Sequence, residues 1–101
     1  MQDRKLAAIM FADIVSYSRL MGTNESEALK LLDDFDKISG KIIDKFSGTI
    51  IKKNGDGIFC EFTSAKNAVD ASLELQNELS NYNDSRPKDF KLEVRIGIHI
   101  G

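Results

Sequence analysis

Tryptophan is absent, and cysteine and proline occur once each, as Cys60 and Pro87. One cysteine cannot close an intrachain disulfide, so the core alone must hold the fold, and Cys60 reads as a small apolar core residue. Long apolar runs are also missing. None approaches the roughly 18 residues of a membrane span, so this segment is expected to make no membrane contact. The opening stretch MQDRKLAAIMF carries no secretory pattern, and with a lone cysteine this leads to an expected cytoplasmic location. Nor does one sign of charge dominate: 14 Lys and Arg face 16 Asp and Glu, a net charge of −2. A dedicated nucleic-acid binder carries a basic face, so nucleic acid is not an expected partner. What is present is ordinary for one globular domain: 101 residues, 42% of them hydrophobic and 30% charged.

The run from Lys5 to Asp13 is apolar until its last residue and reads as a strand buried on both faces. SYSRLMG then makes about one helical turn, closed by Gly22. Asn24, with Glu27 three residues on, reads as an N-cap and its capping-box partner. Ala28, Leu31, Leu32, Phe35, Ile42 and Phe46 follow at helical spacing, with Gly48 as the stop and Gly40 as a point of break or close contact. TIIKKNGDGIFCEF reads as a hairpin, Thr49 to Lys53 against Ile58 to Phe62, with Asn54-Gly55 at the turn. Ser64 caps a second long helix running to about Tyr82. A polar loop around Pro87 leads into FKLEVRIGIHIG. There Val94, Ile96, Ile98 and Ile100 alternate with Arg95, Gly97, His99 and Gly101.

The order β-α-α-β-β-α-β predicts an α+β, ferredoxin-like sandwich: a four-stranded antiparallel sheet, first and third strands central, helices on one face. Its antiparallel central pair sets the end of the first strand beside the start of the third. Asp13 and Asp56 therefore meet at one end of the sheet. Each alone suits a strand end or a turn. Together they repel unless a cation or a shared proton relieves them, and hard divalent ions with oxygen ligands are the natural relief. Both readings stand on these residues. Lys52 and Lys53 suit a solvated strand edge, and His99 and Arg95 suit a sheet face.

The blocks AAIMFADIVSYSRLM, IIKKNGDGIFCEF and VRIGIHIG together resemble the class III adenylate/guanylate cyclase catalytic domain, in order and over nearly the whole chain. The resemblance implies conversion of ATP or GTP to the 3′,5′-cyclic nucleotide and pyrophosphate. It implies two Mg²⁺ or Mn²⁺ ions on Asp13, Asp56 and the backbone carbonyl of Ile14. The first backbone N–H groups of the short helix after Asp13, near Ser16, Tyr17 and Ser18, suit a phosphate on their own chemistry, and Ser16 stands where glycine is common in the family. Lys52 matches the purine-reading position, and lysine there implies adenine. The family works as a homodimer with shared sites, so the aspartates of one subunit would face Lys52 of the other. Family sequences continue past RIGIHIG with an Asn and an Arg that steady the transition state. The chain is thus expected to be one domain, residues 1–101, an N-terminal core incomplete at its C-terminus. Losing one such donor typically costs about 2.7–4 kcal/mol of barrier, so little activity and some self-association are expected of it alone. Two rival readings are a non-catalytic ferredoxin-like module, such as an RNA-binding one, and a regulatory pseudo-cyclase.

Overall fold

Alternation along each strand decides which side of the sheet is covered. The computed structural model describes residues 8–100. Its elements are β1 (Ala8–Ile14), α1 (Tyr17–Thr23), α2 (Glu25–Lys45), β2 (Thr49–Asn54), β3 (Gly57–Phe62), α3 (Ala65–Asn83), a short 3-10 turn (Lys88–Phe90) and β4 (Val94–Ile100). All neighbouring strands run antiparallel, in the spatial order β2-β3-β1-β4. The first and third strands are central, and the ferredoxin-like expectation holds.

Ala8, Met10, Ala12 and Ile14 of β1 and Ile58, Cys60 and Phe62 of β3 point to the helix side and are buried. Leu31, Phe35 and Ile43 of α2 and Ala71, Leu75 and Leu79 of α3 close over them. The expectation that β1 is buried on both faces fails. No helix among the described residues covers the second face, so Phe11 is 38% exposed and Ile9 and Asp13 are half-buried. The first residues of that predicted strand, Lys5 to Ala7, lie outside the described residues, as does Gly101.

Several boundaries move for identifiable reasons. α1 makes two turns and runs through Gly22 to Thr23, and Asn24 closes it by donating its N–H to the Leu20 carbonyl at 2.9 Å. The Asn24 side chain then caps α2, accepting from the Glu27 N–H at 3.1 Å. The Glu27 carboxylate is engaged elsewhere, accepting from Arg86 Nη2 at 2.9 Å. α2 runs unbroken through Gly40, where a Cβ would meet nothing within 4 Å. It ends at Lys45, before Gly48, and Ser47 makes the left-handed turn (φ 61°). Gly48 has a packing role instead: a Cβ there would lie 2.6 Å from the buried Phe62 ring.

The β2–β3 turn is Gly55-Asp56, one residue later than the Asn-Gly signal suggested, because Asn54 still pairs with Gly57. Gly55 takes φ 51°, the positive value a two-residue hairpin loop needs at its first position. On α3, Ser64 caps as expected, accepting from the Asn67 N–H at 3.0 Å. Near its end, Asn83 clamps the approach to β4: Nδ2 donates to the Leu92 carbonyl at 2.8 Å, and Oδ1 accepts from the Leu92 N–H at 2.7 Å. Gln76 Nε2 adds a bond to the Val94 carbonyl at 2.9 Å. These bonds pin the start of β4, and with it the residues that face β1.

Candidate functional site

The open sheet face carries side chains in rows across the strands. At one end, Asp13 lies between Gly57 and Arg95. In the next row Phe11 lies between Phe59 and Gly97, with Lys52 opposite Phe59. In the third, Ile9 lies between Glu61 and His99. His99 is four residues along β1 from Asp13, about 13 Å at strand rise, and so is not brought to the acidic end.

Asp13 and Asp56 do come together. The Ile14 N–H donates to the Asp56 carbonyl at 3.1 Å, tying the hairpin turn to the end of β1. Both aspartates line one cleft of about 150 Å³, with Asn54, Gly57 and the Phe11 and Phe59 rings. Gly57 eases the approach: a Cβ on it would sit 3.3 Å from Asp13 Cβ, tight enough to push the two strands slightly apart. Asp13 Oδ2 accepts from Arg95 Nη2 at 3.2 Å. Its other oxygen, Oδ1, is buried with no hydrogen-bond partner. A buried carboxylate oxygen without a donor is costly, and the chemistry that suits it is a cation or a donor supplied from outside. Among the described residues, no group of three or more His, Cys, Asp or Glu could hold a metal. An ion here would rest on two carboxylates and draw its other ligands from backbone, water or substrate oxygens, as Mg²⁺ sites commonly do.

Tyr17 borders this end. Its phenol is held above the ordinary tyrosine range first by burial, then by the negative charges of Asp56, Asp36 and Glu25. Ser18 is exposed in the first turn of α1. The N–H groups that open a helix have no intrahelical partner, but α1 has only 7 residues and its dipole is correspondingly modest. Ser16 immediately precedes α1 with φ 62° and ψ 29°, the left-handed region. That conformation costs a non-glycine residue about 1–2 kcal/mol, partly offset by the extra chain entropy a glycine loses on folding. Ser16→Gly is therefore expected to stabilise the chain by about 0.5–1 kcal/mol in thermal denaturation. An unchanged or lowered melting temperature would contradict the strain.

Lys52 owes its direction to a feature that sequence periodicity does not reveal. The β2–β3 ladder slips between Ile50 and Lys52, so Ile51 is an extra residue. With the slip, Lys52 faces Phe59 on the open side and Lys53 faces the buried Ile58 row. Without it, Lys52 would point under the sheet. Lys53 correspondingly acts on the helix side, where its charge opposes the burial that raises the Asp36 carboxyl.

Two further features went unremarked by the motifs. Phe11 and Phe59 stack with ring centroids 5.9 Å apart and 25° between planes, both partly exposed. A Cβ on Gly97 would run into the Phe11 ring, so the glycine lets that ring lie across β4. Arg95, placed by alternation only on a sheet face, is the cross-strand partner of Asp13; the β1–β4 register was the signal needed to see it. Cys60 is a core residue as expected: buried, with its thiol pushed up to about 11 by burial. No helix among the described residues is long and apolar enough to cross a membrane.

The family described as the adenylate and guanylate cyclase catalytic domain matches residues 1–101. A Rhizobium meliloti protein bearing the name "Putative adenylate cyclase 3" is 36% identical over 99 residues, which is 97% of this chain and 17% of that protein. The solved adenylate/guanylate cyclase/hydrolase from Silicibacter pomeroyi is 34% identical with a TM-score of 0.85, over 98% of this chain and 58% of its own. The solved guanylyl cyclase Cya2 is 28% identical with a TM-score of 0.83, over 98% of this chain and 55% of its own. This chain thus spans little more than half of those solved chains and far less of the curated relative.

Proposed function

Because the chain belongs to the adenylate and guanylate cyclase catalytic domain family, we propose that it supplies the metal-binding and base-reading half of a purine nucleotide cyclase. The proposed reaction forms a 3′,5′-cyclic nucleotide from ATP: the ribose 3′-oxygen attacks the α-phosphate and pyrophosphate leaves. The observation that supports this most is the convergence of Asp13 and Asp56 on one cleft, with a buried Asp13 oxygen left without a partner.

Asp13, Asp56 and the Ile14 carbonyl would hold Mg²⁺ or Mn²⁺, two ions in the full site; the all-oxygen donor set and the orphaned Oδ1 fit a hard cation. Such ions, when bound, offset the charge of the triphosphate and make the ribose hydroxyl a stronger nucleophile. The chain's own contribution is positioning. The Gly55-Asp56 turn and the Ile14–Asp56 bond set the spacing of the two carboxylates. The free N–H groups of the first turn of α1, around Ser16, Tyr17 and Ser18, would orient a phosphate. Lys52 would read the base. Its ammonium group only donates, which suits the ring-nitrogen acceptor of adenine; a glutamate would suit the N–H donors of guanine. Lys52 belongs to a different row from the aspartates and to an edge strand, an arrangement compatible with service in the site of a second copy.

Binding of fluorescent ATP and GTP analogues in Mn²⁺ tests the base reading. The wild-type chain should prefer ATP, and Lys52→Glu should reverse the preference by roughly tenfold, the scale of one exchanged polar contact. Equal affinity of both nucleotides for both chains would contradict it.

One observation favours the RNA-binding alternative: exposed stacked aromatics on an open sheet face are what single-stranded bases stack upon. Asp13 and Glu61 on the same face, and the net charge of −2, oppose it. Single-stranded RNA binding that survives Asp13→Asn and Asp56→Asn would favour that reading.

A further inference from the structure

The ion pair between Arg95 and Asp13 differs from the Arg86–Glu27 pair. Arg86 is fixed: its side chain is 16% exposed, Nη2 donates to Glu27 at 2.9 Å, and Nε donates to the Phe90 carbonyl at 3.3 Å. Among the described residues, Arg95 makes one side-chain hydrogen bond, to Asp13 Oδ2 at 3.2 Å, and its side chain is 71% exposed. Charge-assisted N–H···O bonds usually fall at about 2.7–2.9 Å, so this one is long as well as single. Arg95 is therefore held near Asp13 chiefly by the β1–β4 register, and its side chain is free to leave.

Its position matters because of what shares the cleft. Asp13 and Asp56 carry like charge at one end of the sheet, and only one Asp13 oxygen is satisfied. We infer that Arg95 is a resident counter-cation: it neutralises Asp13 when the cleft holds no metal, and it competes with a divalent ion for that carboxylate. This rests on the proposed reading of Asp13 and Asp56 as a cation site. An ion that uses only Oδ1 leaves the Arg95 contact geometrically intact but feels its positive charge. An ion that also needs Oδ2 displaces the guanidinium, which is exposed and can swing into solvent. Either way the arginine weakens cation affinity and makes the empty cleft tolerable. Arg95 is thus a positioning residue that sets when the site fills, and no reacting atom needs to touch it.

Removing the Arg95 charge should have two effects of opposite sign, which a merely structural role would not produce. Mn²⁺ affinity, read by electron paramagnetic resonance of the free ion, should rise about three- to tenfold in Arg95→Gln, the scale of one exposed like charge beside a divalent ion. The same variant should melt at a lower temperature than wild type without metal. Arg95→Lys keeps the charge and should restore wild-type affinity, which separates charge from folding. The gain in Arg95→Gln should shrink at high salt. Unchanged or weaker Mn²⁺ binding in Arg95→Gln, with binding still abolished by Asp13→Asn, would overturn the role of Arg95 and leave the cation site standing. Mn²⁺ binding indifferent to Asp13→Asn would overturn both.

Discussion

Mn²⁺ with ATP, at a tenfold excess over its dissociation constant, is expected to raise the melting temperature of the wild-type chain by roughly 6–11 °C. A ligand that binds only the folded state stabilises it by RT ln(1 + [L]/Kd), about 1.4 kcal/mol at that excess. A domain of this size gains about 4–8 °C per kcal/mol. Asp13→Asn and Asp56→Asn should each abolish the rise. The cation would rest on only two side-chain carboxylates, and no third acidic, His or Cys ligand accompanies them among the described residues. Either substitution leaves one charged ligand, too few to hold a strongly hydrated ion and its phosphates. Both changes keep side-chain shape, so melting in the absence of ligand provides the control. A ligand-dependent rise of wild-type size in either variant would remove that aspartate from the site.

The second large effect lies in the core. Phe35→Ala is expected to destabilise the chain by about 3–5 kcal/mol, seen as a lower denaturation midpoint with an unchanged slope. Phe35 is fully buried, near the middle of α2, in the cluster that contains Met10, Leu31, Phe62 and Leu75. Its removal leaves a cavity inside that cluster, which elements packed from several directions cannot easily close. Single domains have a total stability of only about 5–15 kcal/mol, so the variant should be partly unfolded at ambient temperature. Exposed Leu29 on the same helix provides the contrast: Leu29→Ala should change stability by less than about 0.5 kcal/mol. Equal losses at the two positions would mean that α2 does not pack as described.

Where local chemistry and tertiary packing agree, the fold could be read from residues alone. Asn24 and Ser64 cap their helices because a short oxygen-bearing side chain meets an orphan N–H, a purely local event. The alternation of β4 and the spacing of Leu31, Phe35 and Ile42 report a core face directly. The meeting of Asp13 and Asp56 followed from topology, which a β-α-α-β-β-α-β order almost dictates. What escaped depends on choices made across the chain. Ile50, Ile51, Lys52 and Lys53 do not indicate which residue bulges; pairing with β3 decides it, and one slip sends Lys52 to the opposite face. Phe11 suggested a doubly buried strand because an apolar run looks the same whether one face or two is covered. Its exposure follows from the described helices packing on the other side of the sheet. The left-handed Ser16 is concealed because serine is an ordinary residue between a strand and a helix. The pairing of Arg95 with Asp13 needed the β1–β4 register, which the Asn83 clamp on Leu92 helps to set.

Metal binding, the role of Arg95 and the ligand-dependent rise in melting temperature all require Asp13 and Asp56 to share one divalent-cation site. Mn²⁺ is paramagnetic and broadens the resonances of nearby nuclei even when it binds weakly. Substoichiometric Mn²⁺ added to the isotopically labelled chain should first erase the amide signals of Asp13, Ile14, Asp56 and Gly57. Asp70 and Glu74 on α3, the helix that follows the opposite end of β3, serve as the internal control and should broaden only later. Broadening centred on that helix, or spread evenly over all carboxylates, would contradict the account.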